Sequence, residues 1–245
     1  MDYKKIILGI VIFVILIFLY HWIFKDAGKK TIFRLKDSNH RHVLTHEKIP
    51  SSSIFSWSFW VYIKEYTTKF GSKKNILFIK NPTTGVSNFE IFLGENQNDL
   101  NIEIELASSP STTVHEDLTI ERFPIQKWTH VLVSFRNRAM DVYIDGKIVK
   151  SNVFSLPYKK PSGNLDIIFN ATGQDTDKVA SELDEGYNGF LGTMQYFQRA
   201  VQPEEAYAIY KAGYNGGNWL SDLFNKYRLK VAFMEDSTEI NSFVL

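Results

Sequence analysis

Between Ile54 and Ile63 the chain reads IFSWSFWVYI, which puts Phe55, Trp57, Phe59 and Val61 on one face of an extended strand. A side-chain period of two is the mark of a pleated strand with one face buried, and aromatic side chains suit such a surface. Alternation and short apolar runs recur through the body. They predict strands at Asn75 to Ile79, Asn88 to Leu93, Leu100 to Leu106, Thr129 to Phe135, Met140 to Ile144, Leu165 to Phe169 and Phe190 to Phe197. In LNIEIEL (100–106) the alternation places Glu103 and Glu105 on the solvated face. Turn signals separate the runs: Glu95 to Asp99, Asp145-Gly146 before Lys147-Ile148-Val149, and Asn188-Gly189. Two short helices are expected. One opens at Pro203-Glu204-Glu205 and runs to about Ala212, and the other covers Ser221 to Tyr227; Arg228 to Phe233 then reads as a last strand. Short strands at regular spacing, divided by turns, imply an all-β sandwich of two antiparallel sheets about 10 Å apart. The chain has no cysteine, which excludes disulfide scaffolds, thiolate zinc sites and thiol nucleophiles.

The N-terminus carries a different signal. Ile6 to Phe24 is an uncharged apolar run whose helical length, about 28 Å, matches a bilayer core. Tyr20 and Trp22 stand at its end, where amphipathic rings favour the interface. Lys25, Lys29, Lys30 and Arg34 follow as a basic juxtamembrane stem. Expected organisation is therefore a membrane anchor over 1–30 with its span at about 6–24, a connecting segment over 31–49, and a sandwich over 50–245 with an extension from about 213. Charge is split along the chain. Residues 1–50 hold nine Lys/Arg against four Asp/Glu (+5), leaving 19 against 23 (−4) for residues 51–245. The positive-inside rule then keeps the sandwich on the cytosolic side of a single-pass anchor. The slightly acidic head argues against nucleic acid as a partner. A glycosylation sequon at Asn170 would matter only in the opposite orientation.

Three blocks in order resemble a known superfamily. They are Phe55-Ser56-Trp57-Ser58-Phe59-Trp60-Val61; Trp128-Thr129-His130-Val131 with Val142-Tyr143-Ile144-Asp145-Gly146-Lys147; and Gly189-Phe190-Leu191-Gly192-Thr193-Met194 with Phe197 to Val201 and Glu204-Glu205. Together they are similar to the laminin G-like, concanavalin A-like lectin and glucanase jelly-roll domains. The resemblance implies a jelly-roll sandwich and a choice among carbohydrate binders, adhesion modules, glycosidases and virion proteins. Membrane-anchored chains with such a domain also occur among proteins of large DNA viruses.

Candidate chemistry is sparse. Some glycosidases of this fold carry Glu-x-Asp-x-x-Glu on one strand; here Glu103-Ile104-Glu105 lacks the third acid, so catalysis is not expected. Laminin G-like domains often hold calcium at the rim. The acidic run 175–185 offers Asp175, Asp177, Glu182, Asp184 and Glu185 as weak candidates, although without an EF-hand spacing. His40, His42 and His46 suggest an exposed polar stretch rather than a zinc site, and His130 a hydrogen-bonded structural histidine. Tyr158, Tyr187, Tyr214 and Trp219 could stack on sugar rings from the rim. The first expectation is a non-catalytic, membrane-anchored interaction protein without a cofactor, plausibly a minor capsid or virion membrane protein tethering an internal membrane to capsid proteins. The alternative is an extracellular or luminal carbohydrate-binding module, calcium-dependent or not.

Overall fold

The computed structural model describes residues 28–34, 36–37, 42–45, 52–68, 70–80, 87–107, 114–160, 166–169, 187–214, 230–235 and 238–244, together with seven residues between 9 and 19. One sheet is built from β1 (Lys29–Phe33), β2 (Lys36–Asp37), β4 (Ile54–Glu65), β9 (Trp128–Arg136), β10 (Ala139–Ile144), β11 (Lys147–Val153), β13 (Asn188–Leu191) and β14 (Met194–Phe197). Its order is β1-β14-β4-β9-β10-β11, and β13 continues the β14 side of β4 and pairs with β2. The second sheet has the order β3-β12-β5-β6-β7-β8. Its strands are β3 (His42–Thr45), β5 (Lys74–Lys80), β6 (Ser87–Leu93), β7 (Leu100–Leu106), β8 (Val114–Ile120) and β12 (Asp166–Phe169). A hairpin of β15 (Lys230–Glu235) and β16 (Thr238–Val244) and one helix, α1 (Pro203–Lys211), complete the described elements.

The sandwich forms because the inner faces of both sheets are apolar in register. Phe55, Trp57, Phe59 and Val61 of β4 and Val131, Val133 and Phe135 of β9 face Phe89, Ile91, Ile102 and Ile104 of the other sheet in one buried cluster. Phe55 meets Phe89 edge-on at 5.6 Å, the arrangement that ring quadrupoles favour. The outer face of β4 is buried as well. Ser56 and Ser134, small and adjacent, let the chain before α1 press onto the sheet. Ser134 Oγ donates to the Val201 carbonyl (3.0 Å), and the Val201 N–H donates to Ser56 Oγ (3.0 Å). Leu132, Tyr143, Phe197, Val201 and Ala206 then make a second small core under the helix. Pro203 opens α1, and Glu204 and Glu205 sit on its positive end.

Several sequence expectations meet the structure closely, including β7, β9, β10 and α1. The Asp145-Gly146 turn has both residues at positive φ (50° and 74°) and lies under α1, so a Cβ at Gly146 would approach Tyr210 Cβ to 3.0 Å. Others are corrected. Strand β1 starts at Lys29, inside the segment expected as anchor and stem, and the expected connecting segment 31–49 supplies the rest of β1 with β2 and β3, so it takes part in both sheets. Phe190 to Phe197 is two strands broken at Gly192-Thr193, and β8 was not foreseen. Glu105 is buried rather than solvated. Among the described residues no helix is long and apolar enough to cross a membrane. The expected span at 6–24 lies largely outside them; its described residues Gly9, Ile12, Phe13, Ile15, Leu16, Ile17 and Leu19 are helical. Ser221 to Tyr227 lies outside the described residues.

Gly189 is required by contact. A Cβ there would fall 1.9 Å from the Tyr62 carbonyl oxygen, at the register shift where β13 meets β4. Gly189→Ala is expected to lower unfolding free energy by about 1–3 kcal/mol or more, read by chemical denaturation. Unchanged stability would show that this strand pairing is wrong.

Candidate functional site

Strand β4 ends at Glu65, and the loops beyond that end of the sandwich enclose a cleft of about 590 Å³. Tyr66 and Phe70 come from the β4–β5 loop, Asn96, Gln97, Asn98 and Asp99 from the β6–β7 turn, and Glu121, Arg122 and Ile125 from the β8–β9 loop. These loops are tied to one another. The Phe123 N–H donates to the Asn98 carbonyl (2.6 Å), and Asn98 Nδ2 returns a bond to the Phe123 carbonyl (2.7 Å). The Arg122 N–H donates to Asp99 Oδ1 (2.8 Å), and the Gly71 N–H to the Glu95 carbonyl (3.1 Å). The Tyr66 hydroxyl lies against the Gly94 and Gln97 carbonyls. Arg122 and Gln126 hold positive φ (56° and 58°), a conformation that costs energy outside glycine and is kept here by the surrounding bonds.

Below the cleft lies Lys74, fully buried. Its ammonium donates to the carbonyls of Ser72 (3.2 Å) and Glu95 (3.4 Å) and stands 4.4 Å from the Tyr66 ring centre. Burial lowers its pKa, and the Glu95 charge opposes that shift. The lysine thus fixes the floor of the cleft by neutralising carbonyl dipoles that would otherwise face inward together.

A second surface lies on the outer face of the same end of the β4 sheet. Trp128 and Tyr214 stack at 4.7 Å with planes 6° apart, and Tyr62 (5.7 Å from Trp128) and Phe190 (6.4 Å) flank them. With Lys64 they line an open, largely apolar depression of about 380 Å³. Phe190 and Tyr214 remain more than a third exposed. Thr193 holds Tyr214 in place, its backbone N–H (2.9 Å) and its hydroxyl (2.7 Å) both donating to the Tyr214 carbonyl.

The sequence of residues 37–206 matches the model of the concanavalin A-like lectin/glucanase superfamily. The chain belongs to that superfamily. No curated protein sequence matches it. Solved structures share the fold at low identity. The receptor-binding domain of botulinum neurotoxin mosaic serotype C/D is 13% identical with a TM-score of 0.53, over 73% of this chain and 41% of that one. The binding domain of Paraclostridial mosquitocidal protein 1 is 17% identical with a TM-score of 0.53, over 76% and 46%. The ligand-binding domain of botulinum neurotoxin serotype D, solved with N-acetylneuraminic acid, is 14% identical with a TM-score of 0.54, over 76% and 45%. The chain thus matches less than half the length of each of these.

In this member of the lectin/glucanase superfamily the glutamates of β7 are held in ion pairs. Glu103 Oε1 lies 3.2 Å from His115 Nδ1, and its Oε2 lies 3.9 Å from Lys73 Nζ. Glu105 is covered by the segment around Tyr158: Lys159 Nζ reaches its Oε1 at 2.5 Å, and Asn88 Nδ2 donates to its Oε2 at 2.8 Å. Among the described residues no group of three or more His, Asp or Glu is placed to hold a metal ion. The calcium candidates Asp175, Asp177, Glu182, Asp184 and Glu185, the sequon residue Asn170, stem residue Lys25 and Trp219 lie outside the described residues. Lys29, Lys30 and Arg34 are exposed, the first two on β1. Of the four suggested stacking aromatics, Tyr214 joins the platform, whereas Tyr158 and Tyr187 are buried in the core. Burial pushes the Tyr158 hydroxyl pKa far up, and the Tyr196 hydroxyl up to about 12.

His130 is structural. Ser58 Oγ lies 2.9 Å from its Nε2, and its backbone N–H donates to Asp145 Oδ1 at 2.9 Å. Burial lowers its pKa from 6.5 to about 4, against a smaller upward pull from Asp145. The unfolded chain therefore takes this proton first as pH falls. Its contribution to stability is complete above about pH 7 and is lost between pH 6.5 and 4, up to about 3 kcal/mol. The fall in unfolding free energy over that window should be steeper for the wild type than for His130→Gln, measured by denaturant titration at each pH. Equal slopes would overturn the assignment.

Proposed function

We propose that the protein is a non-catalytic recognition module anchored in a membrane by residues 6–24, and that it binds through the end of the sandwich where cleft and platform meet. One observation carries this reading: strand β1, which follows the apolar run, enters the sandwich at the opposite end. Lys29 pairs with Phe197 and Phe197 with Ser56, whereas Tyr62, Tyr66 and Trp128 belong to the far end of β4 and the start of β9. The start of β1 and the binding surfaces are thus separated by most of the length of β4.

The ligand is first of all a protein. Trp and Tyr held rigid on an open apolar surface are the composition of interface hot spots, because they bury much area while losing little rotamer entropy. Such a module would tether a membrane to a protein layer, a virion shell being the setting the resemblance suggests. Basic residues on the stem side fit a cytosolic head. Lack of catalysis is supported by the pairing of Glu103 with Lys73 and of Glu105 with Lys159, which does not leave them as a free acid–base couple.

A second reading rests on the cleft. Its volume suits a small ligand, and amides, carboxylates and the Arg122 guanidinium face an apolar wall of Phe70 and Ile125, a fit for a sugar with hydroxyl edges and a C–H face. The serotype D toxin domain of the same fold was solved with a sialic acid, N-acetylneuraminic acid.

Protease protection after translation with microsomes, followed by a glycan array, separates the two. A protease-sensitive head, no glycan bound, and a photo-cross-link from position 190 to a specific partner that Trp128→Ala reduces at least tenfold is the expected result. A protected head with glycan binding lost in Arg122→Ala would overturn the protein reading in favour of carbohydrate.

A further inference from the structure

The end of the sandwich that receives β1 has its own surface character. Cross-strand pairing aligns Ile54, Arg136, Ala139 and Val153 in one row, Ile54 with Arg136, Arg136 with Ala139 and Ala139 with Val153. Ile54 is 41% and Val153 69% exposed, and Arg136 is exposed between them. The β9–β10 turn adds Arg138, held by backbone bonds from the Asn137 N–H to the Ser53 carbonyl (3.0 Å) and from the Tyr158 N–H to the Asn137 carbonyl (3.1 Å). The chain that follows carries Lys160, and β1 itself opens with Lys29. None of Lys29, Arg136, Arg138 and Lys160 forms an ion pair with a described residue. Three acids near this end are already engaged, Glu205 by Arg199 (2.5 Å), Glu105 by Lys159 (2.5 Å) and Glu116 by Ser155, while Glu204 at the start of α1 is exposed.

We infer that this basic, partly apolar end is a docking surface for an anionic lipid bilayer, which holds the sandwich upright with its cleft and platform facing away from the membrane. The inference rests on the anchored reading above. Chain continuity limits the alternatives. Five residue steps separate Phe24, the last residue of the apolar run, from Lys29, so β1 begins within about 18 Å of the run's end even if the chain is fully extended. Cations without an ion-pair partner are drawn to an anionic leaflet (Arg138 also donates through Nε to the Phe154 carbonyl at 2.9 Å), and exposed Ile54 and Val153 suit the interfacial layer. From Lys29 onward the chain is hydrogen-bonded along β14, so it is part of the sheet as soon as it enters the sandwich. The eleven steps from Ile54 to Glu65 then place the cleft about 35 Å above the docked end.

The absence of cysteine makes the test direct, because a single introduced thiol gives one label. Full-length Ser53→Cys and Asn96→Cys proteins, each carrying a dye, are reconstituted into phosphatidylcholine vesicles with and without phosphatidylserine and a headgroup-located quencher. In anionic vesicles the dye at position 53 should be quenched several-fold more than the dye at 96. Arg136→Glu with Arg138→Glu should remove most of that difference, as should high salt. Lys29→Glu with Lys160→Glu, away from the β9–β10 turn, should act likewise if the first pair perturbs folding. Equal quenching at both positions, or quenching at 53 indifferent to lipid charge, overturns the docking surface. Release of the wild-type protein from vesicles by alkaline wash overturns the anchor reading instead.

Discussion

The fold depends on burial of β4 on both faces. Strands of an antiparallel sandwich ordinarily keep one face wet, and their sequences alternate accordingly. Here the inner side chains, Phe55, Trp57 and Phe59, fill the sandwich, while Ser56 lies under the segment that leads into α1 and Ser58 bonds His130 near the end of that helix. Serine is small enough to admit a second layer and polar enough to bind it, and Ser56 both accepts from the Val201 N–H and donates to the Arg199 carbonyl. Because β4 is fixed from both sides, its two ends become reliable reference points: one lies beside the start of β1 and the other supports the cleft and platform.

This arrangement offsets much of the cost of burying polar groups under α1. Most buried polar groups there have a partner at hydrogen-bond distance, Ser56 with Ser134, Ser58 with His130 Nε2, and the His130 backbone N–H with Asp145, whereas His130 Nδ1 has none. A buried polar group costs little once bonded, whereas an orphaned one costs about 1–3 kcal/mol. Keeping His130 neutral avoids placing a charge among Trp60, Tyr210 and Ser58. Asp145 and Gly146 serve this layer as well as the hairpin turn, since the aspartate bonds the His130 backbone and the glycine leaves room for Tyr207 and Tyr210.

What the sequence showed and what it hid divide by locality. β7, the β10–β11 hairpin and α1 were legible because LNIEIEL, Asp145-Gly146 and Pro203-Glu204-Glu205 carry their signals within a few residues. β1, β2 and β3 were not, because KKTIF, KD and HVLT show no period of their own and become strands only by pairing with chain far away, Lys29 with Phe197 and His42 with Phe169. Glu105 follows the same rule. Its place in the alternation points outward, but the segment carrying Tyr158 and Lys159 crosses there and encloses it, with Leu106 bridged to Tyr158. Tyr214 was legible as a candidate only by type; its stacking on Trp128 is set by the fold. The cleft was the least legible feature, since three loops distant in sequence converge on it and the positive φ of Arg122 leaves no mark in residue type.

Polarity of the molecule follows from the same geometry. A recognition surface on a membrane protein is useful only where a partner can reach it, and a head on a flexible tether would present all its faces equally. In the proposed anchored arrangement, a chain that enters the sheet edge as β1 has little of that freedom, so the direction of β1 would set the direction of the cleft. In an antiparallel sheet the choice is binary. Had the stem paired in the opposite sense, the platform of Trp128 and Tyr214 would face the bilayer, and its apolar surface would compete for the membrane instead of a partner. In that proposed arrangement the lysines of the stem and of β1 would serve two purposes, orienting the anchor in the bilayer and, through β1, orienting the sandwich above it.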